Sequence, residues 1–144
     1  MMRTMCKSKI HGVYITEANL HYVGSITIDR TLLETANILP YEWVHVVNVT
    51  TGSRFQTYAI EGEAGSGIIG LNGAAARLGY PGDKLIIMCS ASVPEEELAG
   101  FKPHIVFVDE QNHIITPSVG DHTWDVDDLN VESEMNDAMR EVGA

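Results

Sequence analysis

Hydrophobic positions along the chain fall in short alternating runs. In LHYVGSITID, Leu20 to Asp29, Ile26 and Ile28 alternate with Thr27 and Asp29, the period of two that a half-buried strand requires. Ahead of it, residues 1–16 read as a strand marked by Ile10, Val13 and Ile15, and TEANL as a turn or short helix. DRTLLETAN reads as a helix with Leu32, Leu33 and Ala36 on its apolar face. Asp29 suits its N-cap, and Thr31 with Glu34 has capping-box spacing as well. WVHVVNV and RFQTYAI are strands on either side of TTGS, a four-residue hairpin turn carrying a glycine. EGEAGSGIIGLNG is glycine-rich and reads as irregular, and AAARLG as a short helix. GDKLIIMCSASV reads as a buried strand, PEEELAG as a helical turn, and HIVFVDEQNHIIT as a second hairpin around Glu110 to Asn112. Many short strands joined by brief helices predict a small, mostly β barrel.

Composition narrows the class. A chain of 144 residues fits one domain of roughly 100–200 residues. No apolar run approaches the ~18 residues of a membrane span, and the N-terminus lacks the apolar core of a signal peptide. Cys6 and Cys89 are too few for a disulfide framework, so a reducing cytoplasm and packing roles for both are expected. The net charge is −11; residues 121–144 hold eight acids and one base, a net −7, which leaves −4 for residues 1–120. We therefore expect a folded domain over 1–120 and a solvated, flexible acidic tail over 121–144, with a partner-binding peptide as the alternative for the tail. An acidic surface argues against nucleic acid, whose binding rests on Lys and Arg.

Candidate chemistry is sparse. Gly65, Gly67 and Gly70 satisfy G-x-G-x-x-G, but no helix opens directly after them and Ser90 stands where the dinucleotide motif needs an acid. A tight barrel loop is the expectation, with a nucleotide site as the rival. In LNGAAA, Asn72 offers an amide, and Gly73, Ala74 and Ala75 leave backbone N–H groups open at a helix start. The six histidines, His11, His21, His45, His104, His113 and His122, lack metal-ligand spacing, so no metal is expected. Lys9 and Arg54 are the cations best placed in strands to hold an anionic substrate.

Gly24-Ser25 interrupts an apolar run. A glycine there marks a bulge or a close backbone approach, and an ordinary turn explains it. The chemical alternative is attack by the Ser25 hydroxyl on the Gly24 carbonyl, which replaces the amide by an ester. Glycine leaves that carbonyl unobstructed and tolerates strain, and a polar donor must steady the oxyanion. Elimination of the ester cuts the chain and leaves dehydroalanine, and its hydrolysis gives a pyruvoyl ketone that can form a Schiff base with an amine.

KSKIHGVYITEANLHYVGSITID, RFQTYAI and GSGIIGLNGAAARLGYPGD together closely resemble the aspartate 1-decarboxylases, bacterial pyruvoyl enzymes that make β-alanine for pantothenate. The resemblance runs from Met2 through Val93 and loosens beyond about residue 100. It implies a double-psi β-barrel with short helices, a homotetramer with active sites between subunits, and L-aspartate as substrate. By matching positions it implies cleavage between Gly24 and Ser25, with Ser25 becoming the pyruvoyl group. Tyr58 becomes the proton donor to the carbanion, which suits a phenol whose ordinary pKa is about 10. Thr57 contacts substrate and assists self-cleavage as the oxyanion donor. Lys9 and Arg54 hold carboxylates, His11, Tyr22 and Asn72 line the pocket, and Gly73, Ala74 and Ala75 give the backbone site. Gly12 and Arg77 depart from the family pattern, which has a basic residue and a histidine there. A non-catalytic barrel with an uncut chain is the rival, and a proenzyme that needs a maturation factor lies between the two.

Overall fold

The computed structural model describes residues 1–115. The expected limit of the domain at residue 120, the acidic tail 121–144 and His122 lie outside the described residues.

Among the described residues, eight strands form one sheet. They are β1 (Met2–Tyr14), β2 (Glu17–Asn19), β3 (Ser25–Asp29), β4 (Trp43–Asn48), β5 (Arg54–Gly62), β6 (Ile69–Asn72), β7 (Lys84–Pro94) and β8 (His104–Phe107). Helix α1 (Arg30–Thr35) follows β3, and 3-10 turns span Gly73–Arg77 and Glu95–Gly100. The order across the sheet is β2-β6-β3-β5-β4-β7-β1-β8. The link from β1 to β2 closes it: Ile15 bonds backbone to Asp83 on one side, and Thr16 bonds Ile69 on the other. Closure removes the open edges that an isolated sheet would expose. The mostly β barrel read from the sequence is what forms. Its mixture of parallel pairs (β2 with β6, β3 with β5, β1 with β8) and antiparallel pairs is consistent with the double-psi arrangement. Inward residues alternate along the strands, and Ile10, Val13, Ile26, Ile28, Val44, Val46, Leu85 and Ile87 are fully buried. No helix among the described residues is long and apolar enough to cross a membrane.

Asp29 caps α1 as expected, its carboxylate accepting from Thr31 N at 2.8 Å. The same carboxylate accepts from Gly65 N at 3.0 Å and Gly67 N at 2.8 Å. The backbone donors of the G-x-G-x-x-G stretch are thus taken by a buried side chain of the chain itself, and the stretch is a tight barrel loop. Leu32, Leu33 and Ala36 are buried against the core.

Several elements differ from the pattern-based reading. TEANL is neither turn nor helix throughout: Glu17–Asn19 is strand β2, parallel to β6. All three residues are exposed, so hydrophobic periodicity gave no sign of it. The glycine-rich stretch is regular at both ends, because Glu61 and Gly62 finish β5 and Ile69–Asn72 is β6. All four β6 residues are buried, since the strand lies between β2 and β3, and a strand covered on all sides shows no alternation. The first hairpin is wider than TTGS, for Val47 pairs with Arg54 and β4 ends at Asn48. The Asn48 side chain accepts from Thr50 N and Thr51 N at 2.9 and 3.0 Å, an Asx turn that starts the loop early. β7 is not buried on both faces: Leu85, Ile87 and Cys89 point inward, while Ile86 and Met88 are half-buried on the outer face. The second hairpin reduces to a bridge from Val108 to Ile114, because β8 pairs with β1 instead. Cys6 is exposed and does not pack, whereas Cys89 is buried. Burial pushes the Cys89 thiol up to about 11, so it stays protonated and inert near neutrality.

Candidate active site

Ser25 begins β3 between two strands that supply its surroundings. On one side, antiparallel pairing sets Ser25 opposite Asn72 of β6 and Thr27 opposite Gly70. Directly paired residues project to the same face. Gly70 has no side chain to intervene, so the Asn72 amide reaches both hydroxyls, donating to Ser25 Oγ at 3.0 Å and Thr27 Oγ1 at 2.8 Å. Ser25 Oγ in turn donates to the Val23 carbonyl at 3.2 Å. Only 1% of Ser25 is exposed. Its hydroxyl is therefore held by one donor and one acceptor, both supplied by fixed backbone or side-chain groups.

On the other side, β5 runs parallel to β3 with Ile26 opposite Ala59. Continued two residues toward the N-terminus, that register sets Tyr58 beside Ser25 and Thr57 beside Gly24. A cavity of about 310 Å³ is lined by Gly24, Ser25, Thr57, Tyr58, Asn72, Ala74 and Ala75 together with Trp43, Phe55 and Leu78. A second, of about 340 Å³, meets it at Ser25 and Tyr58 and is lined by Tyr22, Tyr41 and Glu61. The Tyr58 ring stacks on Tyr41 at 6.1 Å between centroids and meets the edge of Trp43 at 6.3 Å. Gly73 adopts φ +64, and an added Cβ there would lie 2.7 Å from Gly24 Cα and 2.9 Å from the Tyr22 carbonyl. Glycine at 73 is what lets the 3-10 turn close against Gly24.

The chain thus brings together Gly24, Ser25, Tyr22, Thr57, Tyr58, Asn72, Gly73, Ala74 and Ala75. It does not bring Lys9, His11 or Arg54 to that cavity. They lie on the outer face of β1, β7, β4 and β5, in two adjacent cross-strand rows: Lys9, Met88, His45 and Gln56 in one, and His11, Ile86, Val47 and Arg54 in the next. Arg54 opens a separate cavity of about 260 Å³ with His45, Gln56 and Met88. The His11 ring packs on Phe107, 5.5 Å between centroids, and its Nδ1 is buried without a partner. Burial, then the Lys9 and Lys84 ammoniums, hold its pKa below the ordinary value. Tyr41, Trp43 and Thr27 were not anticipated. The pairing of Trp43 with Tyr58 follows from hairpin register alone, had the wider loop been foreseen; nothing local in the sequence points to Tyr41. No group of three or more His, Cys, Asp or Glu able to hold a metal occurs among the described residues.

The sequence model of the aspartate decarboxylase family matches residues 1–115. The chain is 56% identical over 114 residues to an aspartate 1-decarboxylase of Clostridium acetobutylicum, covering 79% of this chain and 90% of that protein. It is 57% identical over 112 residues to one of Thermoanaerobacter pseudethanolicus, covering 78% and 96%. Among solved structures, a rationally designed protein overlaps 60% of this chain and 95% of its own, at 17% identity and a TM-score of 0.43, too partial an overlap to bear on the fold. On the strength of the family match and these identities, the chain belongs to the aspartate decarboxylase family.

Proposed function

We propose that this chain is an aspartate 1-decarboxylase that generates its own pyruvoyl group by cleavage between Gly24 and Ser25, and that it converts L-aspartate to β-alanine and CO2 for pantothenate synthesis. One observation carries the reading: the Ser25 hydroxyl is buried and held by Asn72 and Val23 in a cavity it shares with the Tyr58 phenol. A serine so held has lost the freedom that an exposed hydroxyl keeps, and its attack on the preceding carbonyl begins from a fixed position. Thr57, buried in the same cavity, is the hydroxyl nearest in register to Gly24 and would steady the oxyanion.

A pyruvoyl group fits these residues. It is no larger than the serine it replaces, and Asn72 and Tyr58 would flank it. When formed, it supplies a ketone that condenses with the substrate amine and draws electrons from the departing carboxylate. Tyr58, fixed by Tyr41 and Trp43, delivers the proton to the carbon left behind. Ala74 and Ala75 present backbone beside it.

Lys9, His11 and Arg54 complete the reading only if a second copy supplies them. The Ser25 cavity is rimmed by exposed Tyr22, Tyr41 and Trp43, and an exposed apolar rim of this kind supports an interface between subunits. We therefore propose a homotetramer in which the outer face bearing Lys9, His11 and Arg54 of one copy covers the Ser25 cavity of another. Free Cys6 and Cys89 support a reducing, cytoplasmic location.

Intact mass under denaturing conditions tests the proposal. Wild-type protein should give two fragments, divided after Gly24, and should release β-alanine and CO2 from aspartate. Ser25→Ala should give one full-length, inactive chain. A full-length wild-type mass that persists on warming and after addition of cell extract, which would supply a maturation factor, overturns the reading.

A further inference from the structure

Lys84 opens β7 opposite Tyr14, and it alternates with Leu85 to face the same side as Ile86 and Met88. That is the face bearing Lys9, His11 and Arg54. Between His11 and Val13 the β1–β7 register slips, and Gly12 occupies the slip with φ +86. An added Cβ at Gly12 would lie 3.2 Å from Lys84 Cε and 3.9 Å from its Nζ. The Lys84 side chain therefore lies over the place that a side chain at position 12 would claim.

The whole chain carries −11, and Arg3, Lys7 and Arg30 each find a carboxylate, in Glu95, Glu42 and Glu34. Lys9, Arg54 and Lys84 find none among the described residues. Burial first, and then the charges of Lys9 and Lys84, lower the proton affinity of His11. Cations without a carboxylate beside them give this face a local positive field that favours an anionic ligand on an otherwise acidic protein.

We propose that Lys84, lying across the space left by Gly12, is a third cation of the face that holds the dicarboxylate substrate, beside Lys9 and Arg54. The proposal rests on the reading of that face as the substrate-holding surface. Lys84→Met keeps the aliphatic stem over Gly12 and removes the charge; Lys84→Arg keeps the charge.

The test uses the cleaved, assembled enzyme. Lys84→Met should raise KM for aspartate about fivefold with kcat within about twofold, the signature of lost binding common to ground and transition states. The dissociation constant of succinate, a dicarboxylate without an amine, should rise by a similar factor in calorimetry. Lys84→Arg should lie near wild type in both, and the fraction cleaved and the assembly size should not change. Unaltered KM and succinate affinity in Lys84→Met overturn the proposal. So does a loss of cleavage or assembly that Lys84→Arg fails to restore, since that is a packing role. Succinate binding is read whether or not β-alanine forms, so failure of Lys84 and failure of the decarboxylase reading are told apart.

Discussion

Tyr58 is one of five tyrosines, and what sets it apart is its surroundings. Its ring is bracketed by Tyr41 and Trp43 and its side chain borders both cavities that touch Ser25. Phenylalanine keeps the ring packing and removes only the proton. Tyr58→Phe should therefore cleave at the wild-type rate by mass, yet lose turnover by about 10²–10⁴-fold, the usual contribution of a positioned acid. Loss of cleavage in this variant would assign the hydroxyl to maturation instead. The motif resemblance named Tyr58, Ser25 and Asn72 from the sequence. It could not name Tyr41, which reaches Tyr58 only through the backbone bonds between residues 41–42 and Ala59.

At the scale of elements, Asp29 joins α1 to the glycine loop. Its carboxylate accepts three backbone N–H groups, from Thr31, Gly65 and Gly67, and is buried. The N-cap was legible because its partner lies two residues away. The two glycine partners lie 36 and 38 residues away and follow from no local rule. Asp29→Ala removes the acceptor and leaves the buried Gly67 N–H without a partner, while the Thr31 and Gly65 N–H groups lie nearer the surface. It should cost about 2–4 kcal/mol of stability by chemical denaturation, more than the ~1 kcal/mol of a cap alone. A loss no larger than that of an ordinary cap would mean that the loop is held by other bonds. β2 and β6 make the same point from the other direction. The exposed strand and the fully covered strand both lack alternation, so neither could be read by period.

For the whole molecule, the division of site residues between cavity and outer face predicts complementation between chains. Ser25→Ala chains keep Arg54 but lack the cleavable serine, and Arg54→Ala chains keep Ser25 but lack the cation. Co-expression of the two should restore activity at about one site in four, by random assortment in a closed oligomer. If co-expression restores none while each chain still assembles, each subunit uses its own Arg54. Strand periods, the α1 cap and the Gly24-Ser25 and NGAAA motifs were determined by the sequence itself, because each rests on groups within a few residues of one another. Tertiary structure alone decided which residues face Ser25. Parallel pairing of β3 with β5 and antiparallel pairing of β3 with β6 set Tyr58 and Asn72 on either side of it, while placing Lys9, His11 and Arg54 on a different face. Those pairings come from burying the strands' inner faces in one closed barrel, a condition that only the complete chain can satisfy.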